Sequence, residues 1–596
     1  MSSNTASREP YLGEKHRLII AIDVGTAYSG VSYRSSLLEP GQIPEIHGVN
    51  RYPGQDRYGG DSKIPTIMWY DSAGTVRAAG AEALLDQATV AAEEEGWIRA
   101  EWFKIYMKPN AIAAPPETYQ IPELPLGKDV VEVFGDFLRY IYACAQSYII
   151  QSHPGGSSLW DILGDDIEFI LTHPNGYEGV QQEMMRKAAI LGGLVGTPED
   201  AQEKIKFVTE GEASLHYCIQ CGLDIGAMKQ EGHGVMVVDA GGGTIDISTY
   251  QQKDDAFEEI AAAECAYNGG IFVTLRAQEY FQRILEGSKY ADSVPDLTKA
   301  FDQFTKPIFA KQDDDYYVRF GNARDNDPTV NIKAGRMKIT GFEIAEFFDP
   351  SLNAIMDVFN DLRKRSPKAI KTVFFVGGFS SNDFFFSEMS RYIAEDVALD
   401  GNEEISVCRP DRHLNKAVAH GGVSYYLDHR VTTRVSKLTF GVRCNVPLNS
   451  QDDEHIKRES TKYRSQDGIW RLPNAFETIL PRNTQVSETK EFRRPFITVG
   501  KDVASLQQVK STIRCYRGQH DNPMWVSDEP DKFSIMCTIE ANLEELTKSL
   551  SPIRYVDENG HEHVHYRANY EVALLFGLTE FKAVVIWQED VSRFVA

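Results

Sequence analysis

The sequence predicts a mixed α/β fold over about the first 430 residues and a mainly β fold after them. In the front region, strand-sized apolar runs alternate with helical periodicity, as in DIEFILTHP followed by GVQQEMMRKAAILGGL. Beyond about residue 432, short β-rich runs such as KLTFGVRC and YEVALLF dominate. A third observation, two matching strand–turn–strand segments about 216 residues apart, predicts that the front region contains a duplication.

The composition excludes several classes of protein before any motif is considered. The chain has 596 residues, more than one hydrophobic core normally serves, and its 62 basic and 86 acidic residues give a net charge of −24. So acidic a surface repels phosphate backbones and anionic lipids, which argues against nucleic acid or membrane partners. Eight cysteines and a polar N-terminal segment argue against a secreted, disulfide-stabilised protein. We therefore expect a cytoplasmic location, with the nucleus as a second option.

Changes in composition along the chain predict its domains. Residues 1–16 are polar and are expected to form a flexible N-terminus. A mixed α/β region follows at 17–430, and the change to β-rich character near 428–436 predicts a separate domain at 434–596. Within the front region, helical spacing predicts one buried helix face, formed by Val130, Val133, Phe134, Phe137, Leu138 and Ile141.

Two hairpin-like segments indicate the chemistry of the front region. AIDVGTAYSGVSY and VVDAGGGTIDISTY each contain an apolar strand, an aspartate, a glycine-bearing turn and a second strand. Glycine lets backbone amides approach an anion without a Cβ atom between them, and an aspartate at a strand end suits the water shell of Mg²⁺. One such segment alone would be an ordinary hairpin turn. Two matching copies predict a clamp for a nucleoside triphosphate and its metal ion.

Further motifs accompany the hairpins, in the order FILTHPNGYEG, KFVTEGEASLHYCIQCGL, AYNGGIFVTL, VFFVGGFSSN and NKAVAHGGVSYY. Together they resemble the phosphate and adenosine motifs of the actin-like ATPases, and most closely those of the heat-shock protein 70 family. The resemblance covers residues 17–430, and the departures from the chaperone pattern are similar to the member 12 branch and its fungal relatives. It implies a duplicated actin-like (ribonuclease H-like) ATPase domain, with lobe I at about 17–230, lobe II at about 231–400 and a closing helix at about 413–428.

The resemblance also implies roles for individual residues. Asp23 and Asp239 would bind hydrated Mg²⁺, with Asp246 near the same metal shell. Glu210 would orient the attacking water, and Lys104 would stabilise charge on the γ-phosphate. The alternative for Lys104 is a solvent-exposed helix position. The catalytic candidates are Glu210, Lys104 and Asp239, and the residues implied to bind ATP are Gly25, Thr26, Ala27, Tyr28, Gly241, Gly242, Gly243, Thr244, Gly269, Gly270, Gly377, Gly378, Phe379 and Ser380.

The nucleoside end of the implied site departs from the family pattern. The arginine that stacks on adenine in the family is replaced by Ser381, and the aspartate of the closing helix becomes Asn415. In DQFTKPIFAK only Lys306 matches the helix that covers the base, and Pro307 is expected to break that helix. We therefore expect weaker adenine affinity or relaxed nucleotide choice.

The C-terminal region resembles the opening strands of the family's peptide-binding β-sandwich, but no long amphipathic helix follows it. We therefore expect a β domain without a helical lid, which could bind a client polypeptide through an edge strand. Three functions remain open: a slowly hydrolysing ATP-dependent chaperone or switch, a non-hydrolysing ATP-dependent scaffold, and a small-molecule kinase of the same superfamily.

Three smaller features are expected to be structural. Cys218 and Cys221 lie in a segment predicted as helix over 212–223, so buried helix positions are favoured over a metal or redox site. His561, His563 and His565 alternate, and an exposed polar strand face is favoured over a metal site. The acidic run 313–315 is expected to be a solvated loop.

Overall fold

The computed structural model describes residues 17–34, 45–55, 63–109, 119, 121–163, 166–221, 233–254, 256–399, 404–410, 416–487, 489–577, 580–589 and 592–595. The predicted flexible N-terminus and Asn415 lie outside the described residues. The chain forms two compact units, Met1–Val431 and Thr432–Ala596. In the described part of the chain, no helix combines the length and the apolar character needed to span a membrane.

The first unit contains a sheet built around the first hairpin, whose strands are Leu18–Val24 and Tyr28–Arg34. Every residue of the first strand is buried, as expected for a strand covered on both faces. The order of the main strands is Ile46–Gly48, Tyr28–Arg34, Leu18–Val24, Ile167–His173 and Ile205–Thr209, with Lys63–Pro65 also paired to Tyr28–Arg34. Among the first three of these strands each neighbouring pair is antiparallel, and the last two strands are added in parallel.

A second sheet of the first unit surrounds the second hairpin, whose strands are His233–Ala240 and Ile245–Lys253. The order of its strands is Ala256–Ala266, Ile245–Lys253, His233–Ala240, Ala369–Val376 and Ser406–Cys408. Again the first three are antiparallel and the last two are parallel additions. The two sheets therefore share one order of strand directions around their hairpins.

Helices cover these sheets and carry their apolar residues inward. Their bounds are Asp86–Glu95, Val130–Ser152, Gly156–Leu163, Gly179–Leu191, Pro198–Lys204, Glu210–Gln220, Gly270–Ile284, Val294–Ala300, Lys306–Ile308, Gly341–Arg365, Asp383–Leu399 and Ala417–Asp428. The predicted buried face of the helix at 130–152 is confirmed, since all six apolar residues are buried. Asp129 caps that helix by accepting a hydrogen bond from the Glu132 amide at 2.9 Å.

Two small antiparallel sheets complete the first unit. One has the strand order Val76–Ala79, Ile67–Tyr70 and Ile98–Glu101, and the other has the order Asp315–Arg319, Arg336–Thr340 and Ile332–Lys333. The acidic run is exposed at Asp313 and Asp314, whereas Asp315 begins a strand and forms an ion pair with Lys338 at 2.7 Å. Asp315 is exposed as well, so the predicted solvation holds for all three residues, and only the loop assignment is wrong for the third.

The second unit is dominated by β-strands. One sheet has the order Tyr463–Arg464, Trp470–Leu480, Thr439–Pro447, Gln508–Tyr516 and Phe533–Asn542. The other has the order Glu491–Gly500, Glu562–Gly577, Glu580–Glu589 and Ser592–Val595, with Ile553–Val556 also paired to Glu562–Gly577. A further pair joins Val431–Val435 to Gln485–Ser487. In the described part of this unit the α-helices are Asp453–Lys457 and Glu544–Lys548, each of five residues.

The histidines of GHEHVHY form the predicted exposed face only in part, since His561 and His563 are exposed. His565 is buried, and the ring of His563 stacks on Tyr555 with centroids 5.0 Å apart. The turn before this strand also places the Asp557 carboxylate 3.1 Å from His563 Nε2. This hydrogen bond lowers the pKa of Asp557 to about 2. The adjacent carboxylate was not recognisable from the sequence because the turn determines its position.

The two cysteines of the C-x-x-C segment occupy different environments. The helix that carries them runs over Glu210–Gln220, so it ends before Cys221. Cys218 is buried as predicted, but Cys221 is exposed, and neither forms a disulfide bond. The prediction of two buried helix positions is therefore correct for one residue only.

Candidate functional site

The turns of the two hairpins lie against each other. A Cβ atom added to Gly243 would lie 2.2 Å from Thr26 Oγ1, and one added to Gly242 would lie 2.9 Å from the Cβ of Ala27. Only glycine allows this approach, because any larger residue would separate the two turns. Gly25 is needed within its own turn, where an added Cβ would lie 2.3 Å from the carbonyl oxygen of Tyr28. The structure thus brings the two predicted phosphate turns together.

Asp23, near the end of the first hairpin strand, is buried, and each of its two carboxylate oxygens has a hydrogen-bond partner. Thr172 Oγ1 donates to its Oδ1 at 3.0 Å, and Lys63 Nζ lies 2.7 Å from its Oδ2. Burial alone would raise the pKa of Asp23, but Lys63 and Lys104 outweigh it and hold that pKa below its ordinary value. Asp23 therefore carries its negative charge inside the protein.

Lys104 and Glu210 form a buried ion pair with 2.7 Å between Nζ and Oε1. Lys104 lies in the 3-10 turn Phe103–Met107 and is only 4% exposed, so the alternative of a solvent-exposed helix position is wrong. Burial opposes its charge, but Glu210 and Asp23 raise the pKa of Lys104 above its ordinary value. Glu210 is the first residue of its helix, and burial raises its pKa although Lys104 acts in the opposite direction.

Two aspartates of the second hairpin face each other across its strands. Asp239 and Asp246 are direct partners in the strand register, and both are buried. Ser214 donates to Asp239 Oδ2 at 2.6 Å, and the amide of Asn175 donates to Asp246 Oδ1 at 2.5 Å. Burial and the nearby Glu210 raise the pKa of Asp239 to about 7, and the same two causes raise the pKa of Asp246.

The charges of this site are suited to an added cation. Four buried carboxyl groups meet buried Lys104 and partly buried Lys63, and Asp246 Oδ2 is buried with no hydrogen-bond partner among the described residues. In the same part of the chain no three His, Cys, Asp or Glu side chains are arranged to hold a metal ion directly. Mg²⁺ commonly keeps several of its waters and binds proteins through one or two carboxylates. The donor set therefore fits a hydrated ion better than a fully chelated one.

The pH dependence of stability tests whether the pKa of buried Asp239 is raised in the folded protein. Between pH 3.8 and about 7, folded Asp239 retains a proton that the unfolded chain releases, so folding is weakened as the pH rises. We expect the melting temperature of the nucleotide-free protein in chelator to fall from about pH 5 to about pH 8. Asp239→Asn should flatten this decline, whereas Asp313→Asn, at an exposed position, should not. Equal slopes in all three proteins would contradict the prediction.

Gly269 and Gly270 support the turn of the second hairpin. Their amides donate to the carbonyl oxygens of Gly243 and Gly241 at 3.3 and 3.0 Å. A Cβ atom on Gly269 would lie 2.5 Å from the carbonyl oxygen of Gly242. These glycines therefore lie beside the turn, and their amide groups are already hydrogen-bonded within the protein.

The turn at 377–380 lies beside the second hairpin. Gly377 has a φ of 86°, and a Cβ there would lie 2.4 Å from Asp239 Oδ1. The ring of Phe379 is buried against Phe385 with centroids 4.4 Å apart, so its backbone is the part available to a ligand. Ser380 Oγ donates to the carbonyl oxygen of Val376 at 2.6 Å. Small residues thus let this backbone lie close to Asp239.

Lys306 is held inside the protein. It forms an ion pair with Asp302 and donates to the carbonyl oxygen of Gly270 at 3.1 Å. The prediction that Pro307 breaks the helix is only partly correct, since helical backbone continues to Ile308 after a π-helical turn at Phe301–Thr305. Proline is tolerated there because it occupies the first turn of its short helical segment.

Sequence reasoning missed four residues of the site: Lys63, Thr172, Asn175 and Ser214. Thr172 and Asn175 lie in THPN, at the end of a strand parallel to the first hairpin strand, and that position was a usable signal. Ser214 lies one helical turn after Glu210, so it projects from the same side of the helix. For Lys63 the sequence offered only its place before IPTIMWY.

Comparison with known proteins adds an independent finding. The chain is 22% identical to heat shock 70 kDa protein 12A of Homo sapiens, over 98% of this chain and 91% of that protein. It is 22% identical to heat shock 70 kDa protein 12B of Homo sapiens, over 61% of this chain and 63% of that protein. Chaperone protein DnaK of Thermotoga neapolitana is 23% identical over 60% of this chain and 53% of its own length. No protein-family model matches the chain.

Proposed function

Since the chain is a divergent relative of the heat-shock protein 70 family, we propose that its first unit binds Mg-ATP and hydrolyses it slowly, as a nucleotide-controlled chaperone or switch. The observation that carries the proposal is the meeting of two glycine turns above a cluster of buried carboxyl groups. A phosphate chain needs close backbone amides and a counter-charge; the glycine turns would offer the amides, and the carboxyl groups would hold the cation that supplies the counter-charge.

The sheets support a two-lobed arrangement for this unit. Both have three antiparallel strands followed by two parallel ones, and each places an aspartate at the end of its first hairpin strand. The simplest origin of such agreement is duplication of one lobe. In this proposal lobe I contains the first hairpin, lobe II contains the second, and nucleotide binds where their turns meet.

In this proposal, some side chains bind the nucleotide and its metal ion, and others assist hydrolysis. Asp23 and Asp239 would hold hydrated Mg²⁺, which supplies charge neutralisation for the phosphates, with Asp246 close to the metal shell. The turn residues Gly25–Tyr28 and Gly241–Thr244 would bind phosphate oxygens through backbone amides and hydroxyls. Glu210 would orient water for in-line attack, and Lys104 would stabilise the negative charge of the departing γ-phosphate. Gly377–Ser380 would lie along the nucleoside.

A non-hydrolysing, ATP-dependent scaffold is the second candidate. It is favoured by the direct ion pair between Lys104 and Glu210, because this contact engages the ammonium group and Glu210 Oε1 with each other instead of with phosphate and water. Ser381 replaces the arginine that stacks on adenine in the family, and the loss of that contact also favours the scaffold. A client or partner polypeptide would bind to the second unit, where Phe533–Asn542 ends its sheet among the described strands.

Phosphate release from ATP, with Mg²⁺ and without an acceptor, separates these functions. We expect slow release by the natural protein and loss of release in Asp239→Asn, since the amide cannot hold the hydrated cation. Asp313→Asn is the matched control, because it makes the same change at an exposed loop position. ATP binding without release would favour the scaffold, and formation of ADP without phosphate release, only when a hydroxyl acceptor is added, would favour a kinase.

A further inference from the structure

Lys63 is a partly buried lysine of the site that the family resemblance does not assign. Its side chain is 17% exposed, and its Nζ lies 2.7 Å from Asp23 Oδ2. Its backbone pairs with Gly30 in the first hairpin, and Gln55 Nε2 donates to its carbonyl oxygen at 3.0 Å. Lys63 is therefore fixed at both its backbone and its ammonium group.

The strand that carries Lys63 follows the first glycine turn closely. The amide of Thr66 donates to the carbonyl oxygen of Ala27 at 2.9 Å, and the hydroxyls of Thr66 and Ser29 lie 2.7 Å apart. These contacts place the strand directly beside the turn Gly25–Tyr28. The Lys63 ammonium group therefore reaches Asp23 from the side of the predicted phosphate turn.

The distribution of charges in the cluster indicates a role for Lys63. Lys104 is paired with Glu210, so among the described residues Lys63, which is partly buried, is the remaining lysine beside Asp23, Asp239 and Asp246. A lysine ammonium is a compact charge that can serve either a carboxylate or a phosphate. At Asp23 it supplies the kind of charge that a metal ion would supply when nucleotide is present.

Resting on the proposed function, we propose that Lys63 is a second phosphate-binding cation of the site. It neutralises Asp23 when no nucleotide is present and contacts the terminal phosphates when nucleotide binds. Because Lys63 is part of the protein, its positive charge is present without Mg²⁺. Nucleotide binding therefore depends less on Mg²⁺ than it would if the site contained the aspartates alone. The ligand class is a nucleoside di- or triphosphate, bound with or without its divalent cation.

The test compares nucleotide binding with and without the metal. Binding of a fluorescent ATP analogue is titrated in excess Mg²⁺ and in chelator, for the natural protein, Lys63→Gln and Lys63→Arg. We expect Lys63→Gln to lose roughly tenfold or more affinity in chelator, as for removal of a charge-assisted hydrogen bond, and clearly less in Mg²⁺. Lys63→Arg keeps the charge and should retain binding in chelator.

The matched control is Lys338→Gln, since Lys338 forms an ion pair with Asp315 at the same 2.7 Å in a small sheet of the first unit. Melting temperatures establish that each variant is folded, and Lys63→Met replaces Lys63→Gln if the glutamine variant does not fold. An equal loss with and without Mg²⁺, no loss, or no metal-free binding by the natural protein overturns the assignment of Lys63. Absence of binding by the natural protein even in Mg²⁺ overturns the proposed function as well.

Discussion

Replacing Lys104 with methionine is expected to remove phosphate release, by at least about 100-fold, and to destabilise the first unit by about 3–5 kcal/mol. The activity falls because the ammonium group that would meet the γ-phosphate is gone. The stability falls because Glu210 is left buried without its counter-ion, 2.7 Å from where Lys104 Nζ had been. Phosphate release and thermal unfolding of the same preparation measure the two effects.

A double variant separates the two effects of this substitution. Lys104→Met with Glu210→Gln removes both charges, so much of the lost stability should return while phosphate release stays absent. Lys338→Met, which breaks an ion pair that is more than 40% exposed on both sides, should change neither property strongly. If Lys104→Met keeps normal phosphate release, Lys104 has only a structural role.

Alanine at Gly421 is expected to be the most damaging single-methyl insertion in the first unit, costing about 3 kcal/mol or more. Gly421 lies in the helix Ala417–Asp428, and an added Cβ would lie 1.7 Å from the carbonyl oxygen of Ala213. That oxygen belongs to the helix Glu210–Gln220, so the clash is with backbone and no side-chain rotation relieves it. Alanine would otherwise favour a helix by about 1 kcal/mol, which makes a loss of stability diagnostic.

The neighbouring glycine provides the control for this clash. A Cβ on Gly422 would meet Ala21 Cβ at 3.3 Å, so Gly422→Ala should leave the melting temperature nearly unchanged. Gly421→Ala should also weaken phosphate release, because the displaced helix carries Glu210 and Ser214. Equal melting temperatures for the two variants would show that these helices are not packed as tightly as the structure indicates.

Much of the local structure followed from the sequence alone. The strands of both hairpins, the buried face of the helix at 130–152 and the β-rich character beyond residue 432 all have short-range signals. Apolar alternation, helical spacing and glycine turns are properties of neighbouring residues, so they are readable without a fold. The similarity to heat shock 70 kDa proteins was also recognisable from the sequence, because the motifs that resemble theirs occur in a characteristic order.

The predictions that were wrong concern features that depend on the exact end of a helix or strand, or on a residue that is a neighbour only in space. Cys221 is exposed because its helix stops one residue earlier, and His565 is buried because its strand lies against other residues of the second unit. Helical backbone continues past Pro307 because a π-helical turn precedes it. Each outcome is set by packing, which composition and periodicity do not encode residue by residue.

The sequence by itself determined which residue types could form the site: aspartates at strand ends, glycine turns, and a glutamate opening a helix. Only the tertiary structure decided which charges meet. Lys63 and Asp23 are 40 positions apart, Lys104 and Glu210 are 106 apart, and Thr172 and Asp23 are 149 apart. Electrostatic pairing acts through space over a few ångströms, so partners distant in the chain become identifiable only once the sheets and helices have placed them side by side.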